Sequence, residues 1–209
     1  MTRNDLAGLY AITDSALISD ENFSDSVEQA ILGGVCAVQY RDKSKVTTKQ
    51  FEQATALYQL CQKYHIPLII NDNIELAQQI KADGVHLGKH DENIIVARAT
   101  LGEKAIIGVS CYNQLSLAEQ AVKNGANYIA FGSFFSSSTK PNAVHASLDL
   151  LSQAKQKFKN IPIVAIGGIT PDNGKLLIEA GADCLAVISG LFEQNDVKIA
   201  AQRYNELFS

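Results

Sequence analysis

Eight short, nearly continuous apolar runs, separated by longer amphipathic stretches, are the feature that most limits how this chain can fold. The runs cover residues 9–13, 37–41, 68–71, 84–87, 105–110, 128–132, 163–167 and 184–189. A strand that is apolar at nearly every position is covered on both faces, as parallel strands are. The stretches between them read as helices. Residues 49–63 carry Phe51, Ala54, Leu57, Tyr58 and Cys61 at spacings of three and four, the stripe that one helix face buries. Further helices are expected at 74–80, 94–100, 116–123, 147–157, 172–179 and 197–207. Pro67 and Pro162 each precede a run, and Pro171 stands at the start of a helix, where its missing N–H costs nothing. Regular alternation of strand and helix through eight strands predicts a closed (β/α)8 TIM barrel, an α/β fold, rather than a doubly wound sheet. We expect one domain over residues 1–209.

A weak repeat supports this period. A small-residue turn precedes an apolar run four times, in GGVCAVQ from Gly33, ADGVHLG from Ala82, GANYIAFG from Gly125 and GADCLAVIS from Gly181. About two strand–helix units separate successive copies, so the four fall on even-numbered strands. Glycine suits the helix C-caps expected there.

Composition excludes several functional classes. With 46% hydrophobic and 19% charged residues, the 209-residue chain can bury a sizeable core. Its formal net charge of −4 offers no basic field for nucleic acid or anionic lipid. No apolar run approaches the roughly 20 residues that span a bilayer. The N-terminal MTRNDLAGLYAITD lacks the apolar core and cleavage site of a secretory leader. Cytoplasmic residence, with neither membrane nor nucleic-acid partner, is therefore expected. Cysteines 36, 61, 111 and 184 show no CxxC spacing, which suits free thiols in a reducing compartment.

In such a barrel the chemistry sits at the C-terminal ends of the strands. Strand two ends in Gln39-Tyr40-Arg41-Asp42-Lys43, strand three in Asn71-Asp72, and strand four leads through His86 to Asp91. Strand five ends in Ser110, and strand six leads to Ser136-Ser137-Ser138-Thr139-Lys140. Gln39, Arg41 and Lys43 alternate, which puts them on one side of an extended segment. Such a comb inside a barrel mouth is costly unless it meets anions. Asp72 and Asp91 offer the hard oxygens that suit Mg2+, although each could instead cap the helix that follows it. Gly167-Gly168 removes side chains where a ligand would approach the backbone. Ile188-Ser189-Gly190 opens the last helix, whose free N–H groups favour an anion. His86, in an apolar run, reads equally as a satisfied core histidine. No zinc spacing, nucleophile elbow, Walker loop or GxGxxG occurs.

Taken in order, YAITD (10–14), QYRDK (39–43), NDN (71–73), ADGVHLG (82–88) with Asp91, GVS (108–110), FGSFFSSSTK (131–140), VAIGGI (164–169) and AVIS (186–189) resemble the thiamine phosphate synthase family. The likeness runs from about Gly8 to Leu191. It implies an enzyme of thiamine biosynthesis that joins 4-amino-2-methyl-5-(diphosphooxymethyl)pyrimidine to a thiazole phosphate. The acceptor would be carboxythiazole phosphate or hydroxyethylthiazole phosphate, and the products thiamine phosphate and pyrophosphate. Carried over residue by residue, Gln39, Arg41 and Lys43, with Tyr40, Asp42 and Asn71 beside them, would bind the pyrimidine diphosphate. Ser110 and Lys140 would complete that site, with Arg41, Lys43, Lys140 and Ser110 acting in catalysis. Asp72 and Asp91 would hold Mg2+. Ser137, Ser138 and Thr139 would face the thiazole phosphate, and Gly168, Ile188 and Ser189 would seat its phosphate. The chain departs from the family pattern at Ser137-Ser138, Lys89 and Tyr112. A thiazole tautomerase of the same superfamily would need neither the metal pair nor the diphosphate comb. A non-catalytic barrel would not need Asp72, Asp91 and Lys140, and a phosphosugar isomerase or aldolase would want a catalytic Lys or Glu within a strand. Homo-oligomerisation stays open.

Overall fold

The structure is a computed structural model that describes residues 6–44, 46–88, 93–136 and 145–209. Eight parallel strands close on themselves in chain order: β1 (Gly8–Ile12), β2 (Ala37–Tyr40), β3 (Leu68–Asn71), β4 (Gly84–Leu87), β5 (Ile106–Tyr112), β6 (Tyr128–Gly132), β7 (Ile163–Ile166) and β8 (Cys184–Val187). The helices are α1 (Phe23–Leu32), α2 (Thr47–Tyr64), α3 (Ile74–Ile80), α4 (Ile94–Leu101), α5 (Leu115–Lys123), α6 (Leu148–Lys157), α7 (Gly174–Glu179), α8 (Ser189–Phe192) and α9 (Val197–Asn205). The expected (β/α)8 TIM barrel is therefore the fold. Among the described residues no helix is long and apolar enough to cross a membrane.

Alternation along each strand divides the apolar residues between two cores. In β1, Leu9 and Ala11 face the helices, whereas Tyr10 and Ile12 face the barrel interior, which they share with Ala37, Ile69, Tyr128, Ala130 and Val164. Gln39 pairs in register with Ile12 of β1 and Ile69 of β3, and its side chain points to that interior.

The repeat has a physical cause. Asp83, Asn127 and Asp183 stand just before β4, β6 and β8. Their side chains accept the backbone N–H of Leu68, Ile107 and Ile163 at 2.8–2.9 Å, on the preceding odd strand. Their own N–H groups donate back to the carbonyls of those same residues. Each such residue thus clamps an even strand to its neighbour. Before β2 the place is taken by Cys36, whose sulfur lies 3.6 Å from that of Cys184. All four cysteines are free.

Three expectations need correction. A helix, α1, lies between β1 and β2 where none was expected. Ile188-Ser189-Gly190 opens the four-residue α8, not the last helix, α9. β5 runs on to Tyr112 through an irregularity in its pairing with β6. That kink leaves Ser110 half-buried beside an exposed Tyr112 with φ of 54°.

Candidate functional site

The rim around the ends of β1, β2 and β3 carries the charge. β2 ends at Tyr40, so Arg41 and Lys43 are not in an extended strand with Gln39. They fan out over neighbouring strands. Arg41 turns toward β1, where its guanidinium pairs with Asp14 at 2.5 Å, both side chains being about 15% exposed. Thr13, fully buried, fixes the backbone beneath it: its hydroxyl accepts from Arg41 N at 2.9 Å and donates to Arg41 O. Lys43 turns toward β3 and donates to Asp72 Oδ2 at 3.1 Å. That pair is exposed, 59% and 34% for the two side chains, and contributes about 0–1 kcal/mol. Arg41 is thus a held cation and Lys43 a movable one. The basic comb meets carboxylates of its own chain rather than standing open for an anion.

Asp72 is not a helix cap. The α3 cap is Asn73, whose side chain accepts from Leu76 N at 2.9 Å, and the α4 cap is Asn93. Asp72 has φ of 62°, a left-handed conformation that aspartate tolerates better than most residues. Its Oδ2 also accepts from Asn71 Nδ2 at 2.7 Å. The Asp72 carboxylate therefore projects at the rim with two donors on one oxygen.

Two residues of the strand-two end point elsewhere. Tyr40 is buried between strand and helices: its ring meets Phe23 edge-on and its hydroxyl donates to Gln53. Alternation along the strand sends its side chain to the helix layer. Asp42 accepts from Ser44 N at 2.8 Å and Ser44 Oγ at 2.7 Å. Burial pushes its carboxyl up, and the Ser44 bonds, a Ser15 hydrogen bond and the charge of Lys49 together outweigh this to leave it below its ordinary value. It braces its own loop. Tyr40, Asp42, Lys43, Asn71 and Asp72 line a pocket beside the rim together with Gln50 of α2 and Leu76 of α3.

The barrel floor under this rim is a buried polar chain. Gln39 Nε2 donates to Tyr10 Oη at 3.0 Å, and Tyr10 Oη lies 3.0 Å from Tyr128 Oη. Tyr128 Oη lies 2.9 Å from His86 Nδ1, and His86 Nε2 lies 2.8 Å from Ser110 Oγ. Burial pushes both phenols far above their ordinary range, so each keeps its proton. His86 is a satisfied interior histidine, yet it ends on Ser110, a candidate site residue. Among the described residues no fully buried side-chain nitrogen or oxygen lacks a partner.

On the opposite rim, Gly167 and Gly168 have φ of 108° and 61°. A Cβ on Gly168 would sit 2.3 Å from the Ser136 carbonyl oxygen, and one on Gly167 2.0 Å from Ser133 Oγ. What approaches this turn is the chain itself, the loop after β6. Ile188 and Ser189 lie at the start of α8. Asp91, Ser137, Ser138, Thr139 and Lys140 lie outside the described residues. Among those described, no group of three or more His, Cys, Asp or Glu could hold a metal.

Asp14, Thr13, Tyr10 and Tyr128 were missed as site residues. YAITD held two of the signals, a tyrosine in an apolar strand and an acid at its end.

Residues 9–191 match the profile of the family described as thiamine monophosphate synthase. A thiamine-phosphate synthase from Nitrosococcus oceani is 49% identical, the match covering 97% of this chain and 93% of that one. Another, from Saccharophagus degradans, is 53% identical over 93% and 89% of the two chains. The solved thiamine phosphate pyrophosphorylase from Pyrococcus furiosus superposes with a TM-score of 0.88 at 36% identity, covering 98% of this chain and 96% of that one. The chain belongs to the thiamine monophosphate synthase family.

Proposed function

We propose that this protein condenses 4-amino-2-methyl-5-(diphosphooxymethyl)pyrimidine with a thiazole phosphate, releasing pyrophosphate and forming thiamine phosphate, with Mg2+ as cofactor. Family membership supports the reaction class. The observation that carries the finer reading is the rim itself: a fixed Arg41, paired with Asp14 beyond β1, and a movable Lys43, paired with the Asp72 carboxylate at the end of β3, flank the end of β2.

The donor set suits Mg2+, which commonly takes one or two carboxylates with waters and substrate phosphates. Asp72, with Asp91, would hold it, and when bound it would neutralise charge on the diphosphate. The reaction breaks the CH2–O bond, and the electron pair leaves with the diphosphate oxygen. The aminopyrimidine ring delocalises the positive charge left on carbon, and the thiazole nitrogen lone pair forms the new C–N bond. No enzyme nucleophile is required. Arg41 is held by Asp14 and Thr13, so it meets the leaving group without reorganisation. Lys43 exchanges a weak exposed pair with Asp72 for the stronger charge of a diphosphate, at little cost. Lys140 and Ser110 complete the diphosphate contacts in this reading. Gln39 and Asn71 orient the pyrimidine moiety. Ser137, Ser138 and Thr139, with Gly168, Ile188 and Ser189, receive the acceptor and its phosphate.

The test is pyrophosphate release by purified protein given Mg2+ and both substrates. The expected result is turnover that needs all three components and falls at least a hundredfold in Asp72→Ala, roughly the loss that removing one group acting on transition-state charge produces. No turnover in the wild type, or equal rates in wild type and Asp72→Ala, overturns the reading.

A further inference from the structure

The buried chain from Gln39 to Ser110 has a direction. A primary amide nitrogen can only donate. With Gln39 Nε2 facing Tyr10 Oη, the Tyr10 oxygen accepts, and its own proton goes on to Tyr128 Oη. The Tyr128 proton then goes to His86 Nδ1. A neutral imidazole with Nδ1 accepting carries its proton on Nε2, which donates to Ser110 Oγ. Ser110 is left with its own hydroxyl hydrogen pointing out of the chain.

We infer that Tyr10, Tyr128 and His86 are positioning residues that transmit the orientation of the Gln39 amide to Ser110 and set the Ser110 hydroxyl as a hydrogen-bond donor toward an acceptor group on the substrate. The inference rests on the reading above, in which Gln39 and Ser110 both touch the pyrimidine diphosphate. The chain joins β2, β1, β6, β4 and β5, and its two links through Tyr128, to Tyr10 of β1 and to His86 of β4, cross the barrel interior. Its path also requires Gly108, because a Cβ there would overlap the Tyr128 ring. A donating Ser110 suits an oxygen that gains negative charge as the diphosphate leaves. An accepting Ser110 would oppose it.

The experiment reads the His86 tautomer by nitrogen NMR of the histidine rings in substrate-free protein. It is run at about pH 8, above the ordinary histidine value of about 6.5, with the signal assigned by its loss in His86→Asn. The wild type is expected to show the Nε2–H form. In Gln39→Glu the carboxylate accepts from Tyr10, the chain reverses, and the Nδ1–H form is expected. In Tyr128→Phe the Nδ1 partner is lost, so the Nδ1–H form is expected to appear beside the other. That variant should also lose about tenfold in kcat, the factor one neutral hydrogen bond contributes, with KM nearly unchanged. A wild-type Nδ1–H or doubly protonated ring overturns the inference. So does a tautomer ratio unmoved in both Gln39→Glu and Tyr128→Phe, which is what a merely structural role would give. Because the spectra need no substrate, failure of the condensation reading with the expected tautomers would sink that reading alone.

Discussion

Substituting Gly108 by alanine tests the packing on which the barrel floor depends. Gly108 is not in the left-handed region, so space alone excludes a side chain. A Cβ there would lie 1.9 Å from Tyr128 Cζ and 2.3 Å from both Cε1 and Oη. A tyrosine tip can often swing away, but this one is pinned. Tyr10 meets the ring edge-on at 6.0 Å between centroids, and His86 stacks on it at 5.6 Å. The ring is 1% exposed. Moving it breaks the hydrogen bonds of its hydroxyl to Tyr10 and His86. Overpacking costs about 1–3 kcal/mol, and the two neutral bonds contribute about 1 kcal/mol each. Gly108→Ala should therefore destabilise by about 3–5 kcal/mol. At about 2–4 °C per kcal/mol for a chain of this size, the melting temperature should fall by roughly 6–20 °C. Urea unfolding measures the free energy, with an unchanged m-value expected. In a Tyr128→Leu background the obstructing ring is gone, and the same alanine should cost less than about 1 kcal/mol. A Gly108→Ala protein within about 0.5 kcal/mol of the wild type would refute the reasoning, as would equal costs in the two backgrounds.

Arg98 of α4 donates to the carbonyls of Gly102, Ala105 and Gly125 and to Asn127 Oδ1, so Arg98→Ala should cost roughly 2–4 kcal/mol in urea unfolding. Arg98→Lys should restore little of this, because a lysine cannot reproduce the fork. Burial raises the Asp83 carboxyl above its ordinary value, against the lowering by its backbone hydrogen bonds. Stability tied to this group is therefore full in acid and is lost as pH rises through the raised folded value. Asp83→Asn, which copies Asn127, should match the wild type near pH 3 and exceed it at pH 7; melting curves across that range check the sign. Asp14→Ala, which frees Arg41, should lower kcat/KM about tenfold or more in the pyrophosphate assay while leaving the fold intact by circular dichroism.

The barrel was legible because burial on both faces writes itself into the sequence. β3, β4, β6 and α3 have the expected bounds, each closed off by polar or turn-forming residues. The ends of β2, β7 and β8 were one or two residues too long, since a strand stops where pairing stops and the apolar run does not record that. α1 was readable: Phe23, Val27, Ala30 and Ile31 fall on one buried face. Its polar Ser-Asp-Ser start obscured it. α8, at four residues, is too short to show a period. Arg41, Lys43, Asp72 and Ser110 stood out as polar groups ending apolar runs. Their partners did not. Tyr10 and Tyr128 are 118 residues apart and read as ordinary core aromatics until the barrel closes and brings their hydroxyls within hydrogen-bond distance. Asp14 gains meaning only when Arg41 turns sideways onto β1.

In the proposed reaction the pyrimidine CH2–O bond breaks and the diphosphate departs intact, drawn off by Arg41, Lys43 and the Mg2+ that Asp72 would hold. This is tested most directly with pyrimidine diphosphate carrying heavy oxygen at the bridging position, together with Mg2+ and thiazole phosphate. All the label is expected in pyrophosphate and none in thiamine phosphate, with one pyrophosphate formed per thiamine phosphate. Label retained on a pyrimidine alcohol, or orthophosphate in place of pyrophosphate, would contradict it.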